Sequence, residues 1–176
     1  MNNFNLLVSA PRYHEEDVKS EIWFTMLMCG DKYPIISDLQ FQGLITVFST
    51  LECKEIIRKM KEILEKDPNF FQYVLKVVPI DFVCKTDIEI INEIVKNNYN
   101  EFISEEDSFR IKLNRRNNEL IERDSFIDKI ASNFKNEVDL ENPDKIVRFE
   151  ILGNVSGISF LESEQLIRVK KEFFKT

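Results

Sequence analysis

Two amphipathic segments, His14–Met28 and Glu52–Lys66, each lie between short apolar runs, and this order leaves few ways to fold residues 4–79. Phe4–Ala10 is an apolar run stopped by Pro11, which reads as a strand. In the segment that follows, Glu15, Glu16 and Asp17 fall in the first turn and Gly30 stands just past the end. Acids at the start and glycine at the stop complement the helix dipole and the left-handed cap. Val18, Ile22, Thr25, Met26 and Cys29 recur at helical spacing. Ile35–Leu39 and the β-branched run Gly43–Ser49 predict two strands. Glu52–Lys66 predicts a helix with Ile56, Ile57, Met60, Ile63 and Leu64 on its inner stripe, closed by Pro68. Tyr73–Val78 predicts a fourth strand, ended by Pro79.

The order β-α-β-β-α-β is that of ferredoxin-like folds, in which two helices pack on one face of an antiparallel sheet. It predicts an α+β protein whose first subdomain spans 1–79. Such a fold hosts many functions and names none. With 43% hydrophobic and 31% charged residues, the chain has the composition of a packed core rather than of a disordered segment. No apolar run reaches the roughly 18 residues of a membrane helix. The N-terminus also lacks a cationic leader, so a cytoplasmic protein without membrane contact is expected. Three widely spaced cysteines without a CxxC pair, and a single histidine, argue against a structural zinc site. Each cysteine sits in an apolar run, as a small buried hydrophobe would.

In the second half, Thr86–Asn98 reads as a helix capped by Thr86 or Asp87, with Ile88, Ile91, Ile94 and Val95 on one side. Ser108–Asn114 alternates: Phe109, Ile111 and Leu113 on one face, Arg110, Lys112 and Asn114 on the other, which predicts a half-buried strand. A third helix opens at Asp124 and turns Phe126, Ile127, Ile130, Ala131 and Phe134 inward. Ile146–Leu152 predicts a strand with Val147, Phe149 and Ile151 on one face. Gly153 and Gly157 are expected to bracket a turn into Ile158–Phe160. The tail from Gln165 to Phe174 fits strand or helix equally.

The run SFRIKLNRR, a helix ending IASNFK, then VDLENPDKIVRFEI and GISF resembles the THUMP domain. The positions that carry the likeness are Phe109, Arg115, Arg116, Val138, Asp139, Leu140, Pro143, Asp144, Glu150 and Ile151, within about residues 80–161. One departure is Ala131-Ser132, where many members have a glycine. The resemblance implies an α/β RNA-binding module, here expected over 80–176, of the kind found in tRNA-modifying proteins. The opening LLVSAPRYHEEDVKSEIW is similar to the stand-alone branch of that family. That likeness implies a tRNA-binding adaptor for the enzyme that forms 4-acetylcytidine.

Charge supports a local rather than a global affinity for nucleic acid. Seven cations and four acids lie between Ser108 and Lys135, a local excess in a chain of net charge −7. A patch acts within a Debye length of about 8 Å, so one face can attract RNA while the rest repels it. Arg115 and Arg116, expected just after the strand, offer planar forks to phosphates and faces to unpaired bases. Arg110 and Lys112 either extend that track or form an ordinary charged solvent face, pairing with acids such as Glu150. Asn114 and Asn117 add hydrogen-bonding groups, and Arg123 a further cation. The candidate RNA-binding set is therefore Arg110, Lys112, Asn114, Arg115, Arg116 and Arg123.

Other motifs read as structural. Val138 and Leu140 are expected to plug the core, and Asn142-Pro143-Asp144 is turn chemistry rather than part of a metal pair with Asp139. His14 has no orienting partner for catalysis, and Trp23 is expected to pack inside. Four glycines in the whole chain form no Gly-rich loop for acetyl-coenzyme A, S-adenosylmethionine or ATP. The reading is thus a non-catalytic tRNA-binding adaptor without a cofactor, whose partner is an RNA acetyltransferase. Alternatives are an adaptor for another tRNA-modifying enzyme, by methyl or sulfur transfer, or a small-ligand sensor on the ferredoxin-like half.

Overall fold

A computed structural model describes residues 3–117 and 121–169. Glu119, which enters the local charge balance, and Phe173 and Phe174 of the tail lie outside the described residues. The chain divides into two compact units. One comprises residues 3–80 with residues 165–169; the other comprises the described residues from Asp81 to Glu164.

The first unit contains β1 (Leu6–Ser9), α1 (Glu15–Cys29), β2 (Ile35–Asp38), β3 (Leu44–Phe48), α2 (Cys53–Lys66) and β4 (Lys76–Pro79). Its sheet runs β2-β3-β1-β4, each neighbouring pair antiparallel, which is the order expected of the ferredoxin-like motif. Alternate strand residues, Leu6 and Val8, Ile45 and Val47, and Val77, meet Val18, Ile22 and Met26 of α1 and Ile56, Ile57 and Met60 of α2 in one core. Gly30, at φ 97, closes α1 in the left-handed conformation, its N–H reaching back into the last turn. At the start of α2, the Glu52 carboxylate accepts the N–H of Glu55 at 2.8 Å.

Two expectations change here. Trp23 is 50% exposed, and Phe24 and Met28 are exposed with it, because they sit outside the Val18–Ile22–Met26 stripe that faces the sheet. Of the two readings of the tail, its described part takes the strand: β9 (Ile167–Arg168) pairs antiparallel with β4, Val77 opposite Ile167. Of the cysteines, Cys29 and Cys53 are buried but Cys84 is only half-buried. Burial pushes the Cys29 and Cys84 thiols up to about 11, so neither is a reactive thiolate.

The second unit contains β5 (Phe82–Lys85), α3 (Ile88–Asn98) followed by a 3-10 turn, β6 (Phe109–Arg116), α4 (Arg123–Ala131), β7 (Lys145–Leu152) and β8 (Val155–Leu161). The sheet order is β5-β8-β7-β6, with β6 parallel to β7 and the other pairs antiparallel. Phe109 and Leu113 of β6, Val147, Phe149 and Ile151 of β7, and Ile158 and Phe160 of β8 form its core with Ile91, Val95, Phe126 and Ile130 of the two helices. Asp87 caps α3 by accepting the Glu89 N–H at 2.8 Å; Thr86 instead hydrogen-bonds Ser156. The turn between β7 and β8 is only Gly153-Asn154, with Gly153 at φ 61. Gly157 does not bracket that turn: it lies inside β8, opposite Glu150 on one side and Val83 on the other. Among the described residues, no helix is long and apolar enough to cross a membrane.

Candidate nucleic-acid interface

Strand β6 is the edge of the second sheet and runs two residues further than its alternation predicts, through Arg115 and Arg116. Because strand side chains alternate faces, this separates the two arginines. Arg115 continues the Phe109–Ile111–Leu113 row, and Arg116 continues the Arg110–Lys112–Asn114 row. Residues two apart on a strand rise about 7 Å, so the second row places polar or cationic groups at regular steps over about 20 Å.

Both arginines are exposed. Nη1 of Arg115 donates to the carbonyl of Ile121, which orients the guanidinium without neutralising it. No carboxylate pairs with Arg115 or Arg116 among the described residues. The Arg116 carbonyl accepts the Gly153 N–H at 3.0 Å, tying the strand end to the β7–β8 turn. Asn117 then leaves the strand at φ 50, a conformation asparagine tolerates better than most residues. Arg123 is the exposed first residue of α4, directly after the Glu122 cap. Hydrogen bonds from the Ser125 hydroxyl and from the Ser125 and Asp124 N–H groups hold the Glu122 carboxyl down at about 2.

Further back along β6 the row is half-buried. Nη1 of Arg110 donates to the Leu140 carbonyl at 3.0 Å, and its Nε is buried without a partner among the described residues. Lys112 lies in register with Arg148 of β7. Asn114 donates to Oε1 of Glu150 at 3.0 Å, and Arg148 donates to the same oxygen from Nε at 2.7 Å. Glu150 therefore pairs with Arg148 and Asn114, while Arg110 turns to the Leu140 carbonyl. Arg148 is only 2% exposed, and sequence reasoning overlooked it. Its signal is a cation and an acid two apart inside an otherwise apolar strand, which places them on one face.

The VDLENPDK segment frames the start of β6. The Phe109 N–H donates to Glu137 and the Asp139 N–H to Phe109, so the loop adds a short bridge to the strand edge. Oδ1 of Asp139 accepts the N–H groups of Glu141 and Asn142, and Oδ2 of Asp144 accepts the N–H and hydroxyl of Ser108. Asp139 closes a backbone turn, as the turn chemistry predicts, whereas Asp144 anchors the loop to Ser108 at the start of the strand instead of closing its own turn. Val138 and Leu140, however, are not core plugs: they are 56% and 70% exposed. The backbone hydrogen bonds, not apolar burial, hold this loop.

An α+β protein whose second unit carries a cationic edge strand is the class these features define. A protein-family model, THUMP domain, matches residues 85–161. No curated protein matches the sequence. The fold is similar to the crystal structure of PH1313 from Pyrococcus horikoshii Ot3 (TM-score 0.65, 17% identity, 94% of this chain and 55% of that one). It is also similar to TrmN from Thermus thermophilus (TM-score 0.57, 11% identity, 90% and 45%). A third similarity is to a 4-thiouridine synthetase–RNA complex with bound ATP (TM-score 0.53, 13% identity, 94% and 42%). The chain spans about half the length of these solved structures.

Proposed function

We propose that this chain binds tRNA and presents it to a separate enzyme that modifies it, an RNA cytidine acetyltransferase forming 4-acetylcytidine. The observation that carries the reading is β6: an edge strand inside the stretch that the THUMP domain model matches, with two exposed arginines at its end and no carboxylate paired with either among the described residues. Arg116 has no side-chain partner among the described residues and can meet a phosphate, and Arg115 is oriented by a carbonyl that leaves its charge intact. Arg110, Lys112 and Asn114 extend the row, and Arg123 adds a cation at the start of α4. The similarity to an RNA-bound 4-thiouridine synthetase supports the RNA part of the reading. Catalysis is assigned elsewhere because the sequence offers no Gly-rich cofactor loop.

Gel shift of tRNA against the Arg115→Ala/Arg116→Ala double variant tests binding: affinity falls if β6 grips RNA and is unchanged if it does not. Sequencing of RNA crosslinked in cells tests the substrate class, with enrichment of mature tRNA expected. The similarity to TrmN and to a thiouridine synthetase favours a second reading, in which the partner performs another tRNA modification. Co-purification from the native source separates the two by the enzyme recovered.

A further inference from the structure

We propose that Arg12 and Tyr13, on the turn between β1 and α1, form a second contact for RNA, Tyr13 stacking on an unpaired base and Arg12 meeting its phosphate. The inference rests on the tRNA-binding reading but uses a different part of the chain.

The His14 N–H donates to the Pro11 carbonyl at 3.1 Å, closing a four-residue turn in which Tyr13 holds the third position at φ 69. A positive φ there, with Arg12 at negative φ, is the pattern of a type II turn, which favours glycine. A bulky side chain in that conformation is strained against its own backbone. Packing within the chain does not compensate, since Tyr13 is 84% exposed. Backbone strain of this kind concentrates where a side chain must be presented to a ligand.

The turn is also held rigid. The His14 ring stacks on Tyr73 with centroids 4.8 Å apart, and its Nδ1 pairs with Asp17 at 2.8 Å. Oε1 of Glu15 accepts the Gly43 N–H at 2.6 Å, and Lys19 binds Glu16 at 2.7 Å. Each acid in the first turn of α1 therefore has a partner. Arg12 is exposed and has none among the described residues. An exposed aromatic ring on an anchored turn, beside an unneutralised guanidinium, matches the chemistry of an unpaired nucleotide: a base face to stack on and a phosphate to pair with.

The test pairs thermal melting with tRNA titration by fluorescence anisotropy for wild type, Tyr13→Gly, Tyr13→Phe and Arg115→Ala/Arg116→Ala. Tyr13→Gly relieves the strain, so its Tm is equal to or above that of wild type while its tRNA affinity drops about tenfold. Tyr13→Phe keeps the ring and the affinity. An unchanged affinity in Tyr13→Gly, with the arginine double variant impaired, overturns the inference and leaves the β6 reading standing, with Tyr13 then free to serve a protein partner. A lowered Tm in Tyr13→Gly shows a structural role and also overturns it. Unchanged tRNA affinity in both Tyr13→Gly and the arginine double variant removes the binding reading itself.

Discussion

Arg148 and Glu150 stand two residues apart on β7 and share one carboxylate oxygen with Asn114 of β6: Oε1 of Glu150 lies 2.5 Å from Nη2 of Arg148 and 3.0 Å from the Asn114 amide. Both charged side chains are almost wholly withdrawn from water. Removing one partner of such a pair strands the other charge, whereas replacing both with apolar residues is often neutral. Glu150→Ala is therefore expected to destabilise by about 3–5 kcal/mol. Arg148→Met/Glu150→Leu is expected to lie close to wild type. Urea melts of the two variants check this, and equal destabilisation of both would contradict it.

Acid should loosen the second unit through two carboxylates that the fold holds ionised. Glu122 caps α4 with its carboxyl held down at about 2, chiefly by the Ser125 hydroxyl. Asp144 is also held below the ordinary carboxylate range, first by the Ser108 hydroxyl and then by the Ser108 N–H. A folded value below the unfolded one means stability that is fully present above the unfolded value and is lost as pH falls through the folded one. For Glu122 that window runs from about pH 4.5 down to about 2. Melting temperature followed from pH 6 to pH 2 should fall less steeply in Glu122→Gln than in wild type. Parallel curves would deny the cap this role.

Gly43→Ala is expected to destabilise the first unit. Gly43 sits at φ 76, and a Cβ there would lie 2.9 Å from the Ala10 carbonyl oxygen. That carbonyl belongs to backbone held in place by the Ala10 N–H bond to Gly43, so it has little room to retreat. The conformational penalty alone is about 1–2 kcal/mol, and the close approach adds to it. Thermal melting reads the loss; a Tm equal to wild type would show that the turn shifts freely.

The parts of this fold that were legible in the sequence are those whose buried face imposes a period. The ferredoxin-like order follows from Val18–Ile22–Met26 and Ile56–Ile57–Met60, each placed between apolar runs, and β6 follows from Phe109–Ile111–Leu113. Strand β5 is four residues with no fully buried position, and β9 is two residues, so neither carries a pattern to read. Val138 and Leu140 misled because hydrophobicity alone suggests burial, while the order of their loop comes from Asp139 and Asp144 accepting backbone N–H groups. Trp23 misled for a related reason: α1 is apolar on its outer side too, and only the inner stripe meets the sheet. At the candidate site, the cation-rich strand was visible, but its extension through Arg116 was not. That extension puts Arg115 and Arg116 on opposite faces. Tyr13 was invisible, since nothing in the sequence announces a positive φ at a tyrosine.

The salt dependence of tRNA binding asks most directly whether the end of β6 holds RNA. Each phosphate contact contributes roughly 0.7–0.9 to the slope of log affinity against log salt concentration. Measured side by side, Arg115→Ala/Arg116→Ala should bind tRNA more weakly than wild type and show a slope shallower by about 1 to 2. Equal affinities and superimposable slopes would mean that these arginines touch no phosphate, and that the cationic edge strand is only a solvated face.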